Sequence, residues 1–147
     1  MKVVVVFLAL FALSCSREPA PLSLADQHAR VDEFLQAGYL AGAERQLDRM
    51  WRAHHPTGEL RPYQRQVLQD ISFRLGQVML EEKKPVEALG ACTRGLDLGG
   101  ADDLFTANLL ILRGHIRQEL GKLASAAEDF HKALVINEKL LGKVLNP

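Results

Sequence analysis

The chain has 147 residues, 48% of them apolar, and its eighteen basic side chains balance eighteen acidic ones. That length and apolar content suffice for one domain with a modest core and exclude a disordered chain. A formal net charge of zero excludes a protein-wide field for nucleic acid, so no nucleic-acid partner is expected.

The first predicted element is a leader. Lys2 precedes the apolar run Val3 to Leu13, which is shorter than the roughly 20 residues of a membrane-spanning helix and has the form of a secretory signal over residues 1–14. Residues 15–22, with Pro19 and Pro21, read as a tether, and a helical domain is expected over residues 23–147.

Helix punctuation divides that domain into six. Ser23 followed by Asp26 predicts a capping-box start, and Gly38 a stop. Ala41 to His54 reads as the second helix, closed by the turn residues His55-Pro56-Thr57-Gly58. Pro62 suits the first turn of a long helix reaching about Glu82, and Lys84-Pro85 begins a fourth that ends at Gly99-Gly100. Asp102 or Asp103 caps a fifth helix stopping near Gly121, and the sixth runs from about Leu123 toward Leu145.

A single spacing recurs across these helices. Steps of 12, 16 and 19 residues lead from Gly76 to Ala88, Cys92 and Gly95, and from Gly114 to Ala126, Phe130 and Ala133. Applied to Val31 they reach Ala43, Leu47 and Met50, a bulkier copy. Small residues facing one another let two antiparallel helices approach closely, while a larger one fills the space beside them.

The segment Leu112-Arg113-Gly114-His115 with Gly121, Ala126, Phe130 and Ala133 resembles a tetratricopeptide repeat, whose period is about 34 residues. Leu75-Gly76, Ala88 and Gly95 resemble the repeat before it, and Gly38, Ala43 and Leu47 a degenerate first one. The resemblance implies an all-α fold of antiparallel helical hairpins stacked as a short right-handed solenoid, with repeats over 24–57, 69–102 and 107–140. It also implies a concave groove for a peptide or helix of another envelope protein, without catalysis. Carried over from the repeat, the groove positions are Phe73, Gln77 and Leu80 in the second copy. The third supplies Asn108, Ile111, His115 and Gln118, and the degenerate first copy His28 and Asp32.

The stretch Ala12-Leu13-Ser14-Cys15 resembles the lipobox of bacterial lipoproteins. That resemblance implies a mature chain beginning at lipidated Cys15 and anchored to a membrane by its acyl chains. Ser16 stands where an aspartate would retain such a protein in the inner membrane, so the outer membrane, facing the periplasm, is the implied address. Cys92 is then the one remaining thiol, and no intrachain disulfide is available.

Motifs for chemistry are sparse. The sequence holds no HExxH, Walker loop, GxGxxG or GxSxG, and neither a metal nor a cofactor is expected. His54 and His55 are adjacent, about 100° apart on a helix, and suit a helix end better than one ion. An alternative envelope enzyme or metal-binding protein would have to assemble His54, His55 and His115 from different helices. Cys92 reads as a buried filler, and Trp51 as a cover over the junction with the next hairpin. In the last helix Leu134, Ile136, Leu140, Leu141, Val144 and Leu145 leave apolar surface without a capping helix. That end either folds onto the body or docks onto another chain, a second copy included.

Overall fold

The computed structural model describes residues 22–145; the expected signal segment, Cys15 and the tether through residue 21 lie outside them. The described chain is all-α, with helices α1 (Leu24–Gln36), α2 (Leu40–His54), α3 (Pro62–Glu81), α4 (Pro85–Asp97), α5 (Leu104–Glu119) and α6 (Leu123–Leu145). No helix among the described residues is long and apolar enough to cross a membrane.

Local chemistry accounts for the boundaries. The Ser23 hydroxyl accepts from the Asp26 amide at 3.1 Å while the Asp26 carboxylate accepts from the Ser23 amide at 3.3 Å, closing the capping box. Pro62 and Pro85 occupy first-turn positions, where no amide hydrogen is needed. Of the two candidate caps for α5, Asp103 is the one used, accepting from the Thr106 amide at 2.9 Å. α4 stops at Asp97, two residues short of the Gly99-Gly100 pair, because Gly99 adopts a left-handed φ of 70° and leaves the helix.

The three hairpin turns share one geometry. Gly38, Lys83 and Gly121 take φ values of 68°, 62° and 72°. Around each, two backbone bonds satisfy carbonyls of the preceding helix: Gly38 to Leu35 and Tyr39 to Phe34, Lys83 to Leu80 and Lys84 to Met79, and Gly121 to Gln118 and Lys122 to Arg117. This is a Schellman closure, in which one left-handed residue reverses the chain. Each such residue lies seven after the reference position of its copy, Val31, Gly76 or Gly114. The turns are therefore in register with the spacing read from the sequence.

The facing positions meet as that spacing requires. A Cβ on Gly76 would stand 2.8 Å from Cys92 Sγ, and one on Gly114 would stand 2.6 Å from the Phe130 ring. Each hairpin packs its own two helices together, and α2 packs on α3, α4 on α5, and α3 on α5. Val31, Ala43, Leu47 and Met50 are fully buried and join Trp51, Leu68, Ile71 and Leu75 in the core of the first two hairpins. Ala88, Cys92, Leu109 and Ile116 form the core between the second and third, and Ala107, Leu110, Ala133 and Ile136 that inside the third. Trp51 is buried and carries the Arg94 guanidinium 4.1 Å above its ring, so it covers the α2–α4 junction.

Lys83 is the one described non-glycine residue with positive φ. A side chain in that conformation costs about 1 kcal/mol or more, and glycine removes the cost. Lys83→Gly is expected to stabilise the fold by about 1 kcal/mol, seen as a raised urea midpoint with unchanged slope; an unchanged or lowered midpoint would show that the turn is not strained.

Candidate functional site

The first and second hairpins part on one side. No Cα of α1 comes within 8 Å of one in α3, although α3 and α5 pack directly. Side chains bridge the opening: Arg74 Nη1 donates to Asp32 Oδ1 at 2.9 Å, Arg74 Nε lies 3.5 Å from Asp70, and His28 Nε2 lies 3.8 Å from the same carboxylate. Burial, and then the Arg74 guanidinium, hold the His28 imidazole below its ordinary pKa despite the two carboxylates. Its Nδ1 is buried without a partner, as is Nε2 of His54 on α2.

A cavity of about 290 Å³ continues along α3 from this bridge, lined by Leu35, Asp70, Phe73, Arg74, Gln77, Val78 and Glu81. Gln77 is exposed at its mouth, and Phe73 is half-buried, with its other contacts in the core between the second and third hairpins.

The expected groove residues thus divide into groups. His28 and Asp32 meet α3 through the charged bridge, and Phe73 and Gln77 share the cavity wall. Leu80 and Ile111 are half-buried and pack against the cores of the second and third hairpins. Asn108 is half-buried on α5, Gln118 is exposed near its end, and His115 is exposed with its ring edge-on to Phe130 at 5.1 Å. Asp70 and Arg74 were missed, although their spacing of four on a helix is a readable ion-pair signal.

The most buried charge lies elsewhere, and sequence reasoning missed it too. Asp129 on α6 is fully buried and accepts from Arg113 Nε and Nη2 at 2.9 and 2.7 Å and from Arg117 Nη1 at 2.8 Å. Arg117 also donates to the Ser125 carbonyl at 3.0 Å, so two arginines of α5 clamp one carboxylate of α6. Both carboxylate oxygens of Asp129 are engaged by guanidinium donors, which makes the cluster an internal tie of the hairpin. A larger cavity, about 570 Å³, opens between α4, α5 and α6 beside Arg113 and is walled by both signs of charge, Asp97 and Asp102 against Lys132.

His54, His55 and His115 are not brought together. The first two close α2, with the His55 ring against Trp51 at 5.7 Å, while His115 sits on α5 against α6. Among the described residues no three His, Cys, Asp or Glu side chains converge to hold a metal ion. Cys92 is fully buried, and burial pushes its thiol up to about 12.

Comparison with protein-family models, with curated proteins and with solved structures finds no match.

Two outcomes follow from this geometry. Asp129→Asn leaves two half-buried guanidiniums facing a buried neutral amide and is expected to cost about 3 kcal/mol, measured by denaturant unfolding; a cost below about 1 kcal/mol would place the cluster in solvent. Cys92 stays protonated through pH 9 and is expected to react with a thiol reagent only on unfolding, so labelling of the native chain that climbs between pH 7 and 9 would contradict its burial.

Proposed function

We propose that this chain is a membrane-tethered, tetratricopeptide-like lipoprotein that works without catalysis, as an adaptor or assembly factor for another protein of the bacterial envelope. Three hairpins with one turn geometry, each turn seven residues after its reference position, support the repeat reading. The lipobox-like Ala12 to Cys15 stretch supports the anchor, placed at Cys15 and facing the periplasm from the outer membrane.

The observation that carries the adaptor role is the cavity where α1 and α3 part. It joins an apolar wall of Leu35, Phe73 and Val78 to the hydrogen-bonding and charged groups of Gln77, Arg74 and Glu81. Such a site takes one apolar anchor from a partner segment and orients it with a few polar contacts. Leu80 and Ile111 pack into the cores of the second and third hairpins, and the reading extends the surface along α5 through Asn108, His115 and Gln118.

The test is affinity capture after crosslinking in the native envelope, comparing wild type with Gln77→Trp, which fills the cavity from an exposed position. A partner held by the wild type and lost from a variant of unchanged helicity and melting is the expected outcome. Retention of every partner by Gln77→Trp would remove the cavity from the binding surface. Cys15→Ser is expected to release the protein from the membrane fraction, and a variant that stays bound would refute the anchor.

A further inference from the structure

The two ends of the helical stack are unlike. α5 docks on the second hairpin through Leu109, Leu112 and Ile116, and the α4 face receiving it carries Leu89, Cys92 and Leu96. In the shared register the last hairpin presents the same face again, as Ala127, Phe130 and Leu134 of α6. No described helix covers it. Leu134 is 55% exposed, and Leu141, Val144 and Leu145 further along are 60%, 75% and 76% exposed. At the other end, the positions of α1 that correspond to Leu109, Leu112 and Ile116 are Asp26, Ala29 and Glu33, all exposed. That polar face caps the stack and cannot enter the apolar end of another copy, so head-to-tail growth is excluded.

A helix that fits the open face already exists in the chain. Leu134, Asn137 and Leu141 repeat the spacing of Leu109, Leu112 and Ile116, and with Ala127, Phe130 and Val144 they make a stripe of alternating three- and four-residue steps. That is the seam of a two-helix packing, with one polar residue to set its register. Run antiparallel against itself, the stripe places Leu134 beside Asn137 of the second copy, Phe130 beside Leu141 and Ala127 beside Val144. The flanking Glu138 then comes level with His131 of the second copy, both being exposed and His131 standing between the stripe and the cavity of α4, α5 and α6 that it also lines. In a parallel pair Glu138 would meet the flanking Ala133 or Leu140 instead. We propose that a second copy of this chain covers the α5–α6 face, its α6 antiparallel to the first across a two-fold axis, closing a four-helix layer from the two terminal hairpins.

This dimer does not depend on the adaptor reading, since the cavity of α1 and α3 that carries that reading lies on other helices; His115, whose ring meets Phe130, is where the two surfaces adjoin. The experiment is sedimentation equilibrium of the full chain in mild detergent over a concentration series, for wild type and for Leu134→Glu/Leu141→Glu. The wild type is expected at twice the chain mass and the variant, with unchanged helicity, at the chain mass. A wild type monomeric at every concentration overturns the proposal and leaves the face to a helix of another protein; assemblies growing beyond two copies, or a variant that still dimerises, overturn it as well. Orientation is read in a Cys15→Ser background, where Cys92 is buried. Mixed Leu134→Cys and Asn137→Cys chains are expected to join by a disulfide while Val144→Cys chains do not join to themselves, and the reverse result overturns the antiparallel arrangement.

Discussion

The fold depends on how closely two helices of a hairpin can approach. At Gly76 and Gly114 the backbone of the first helix lies so near the second that Cys92 Sγ and the Phe130 ring occupy the space a methyl group would need. Such contact buries flanking apolar side chains on both helices, and each buried leucine or isoleucine contributes about 1.5–3 kcal/mol. It also requires an abrupt reversal of the chain, which the left-handed turn seven residues later supplies. The two constraints act together: a longer connection would let the second helix rotate, and Ala88, Cys92 and Gly95 would then miss their partners.

Much of this was legible in the sequence because it is repeated. Capping residues, first-turn prolines and left-handed glycines each act within a few residues of the chain, so Ser23, Pro62, Pro85, Gly38 and Gly121 mark their boundaries directly. Lys83 was hidden because nothing in a lysine side chain signals positive φ; only its register with Gly38 and Gly121 does. The separation of α1 from α3 was hidden for a different reason. It depends on how α2 settles against α3, a tertiary outcome that no local pattern encodes.

Charge was the least legible property. Arg113 and Arg117 are four apart on α5 and resemble an exposed basic pair, while Asp129 stands in a mixed stretch with Glu128. Folding brings all three to the hairpin interface, where the second helix has a carboxylate at the position its predecessor fills with Ala91. An isolated charge there would be costly, yet with three short donor contacts the group specifies one rotation of α6 about its axis. The same principle separates the groove expectation from the observed site. Positions transferred from a repeat say which way a residue points, but whether Leu80 or Ile111 is free to bind depends on the neighbours that cover it.

The rotation of α6 set by Asp129 has a consequence at the far end of that helix. With Asp129, Ala133 and Ile136 turned inward and Leu140 half-buried, a helix of 23 residues must carry Leu134, Leu141 and Val144 on an adjacent outward face. Moving those side chains inward would require turning Asp129 out of its arginine clamp, at a cost comparable to breaking a buried ion pair. The apolar stripe is therefore tied to the internal salt bridge, and that face of α6 stays exposed for as long as the last hairpin is folded.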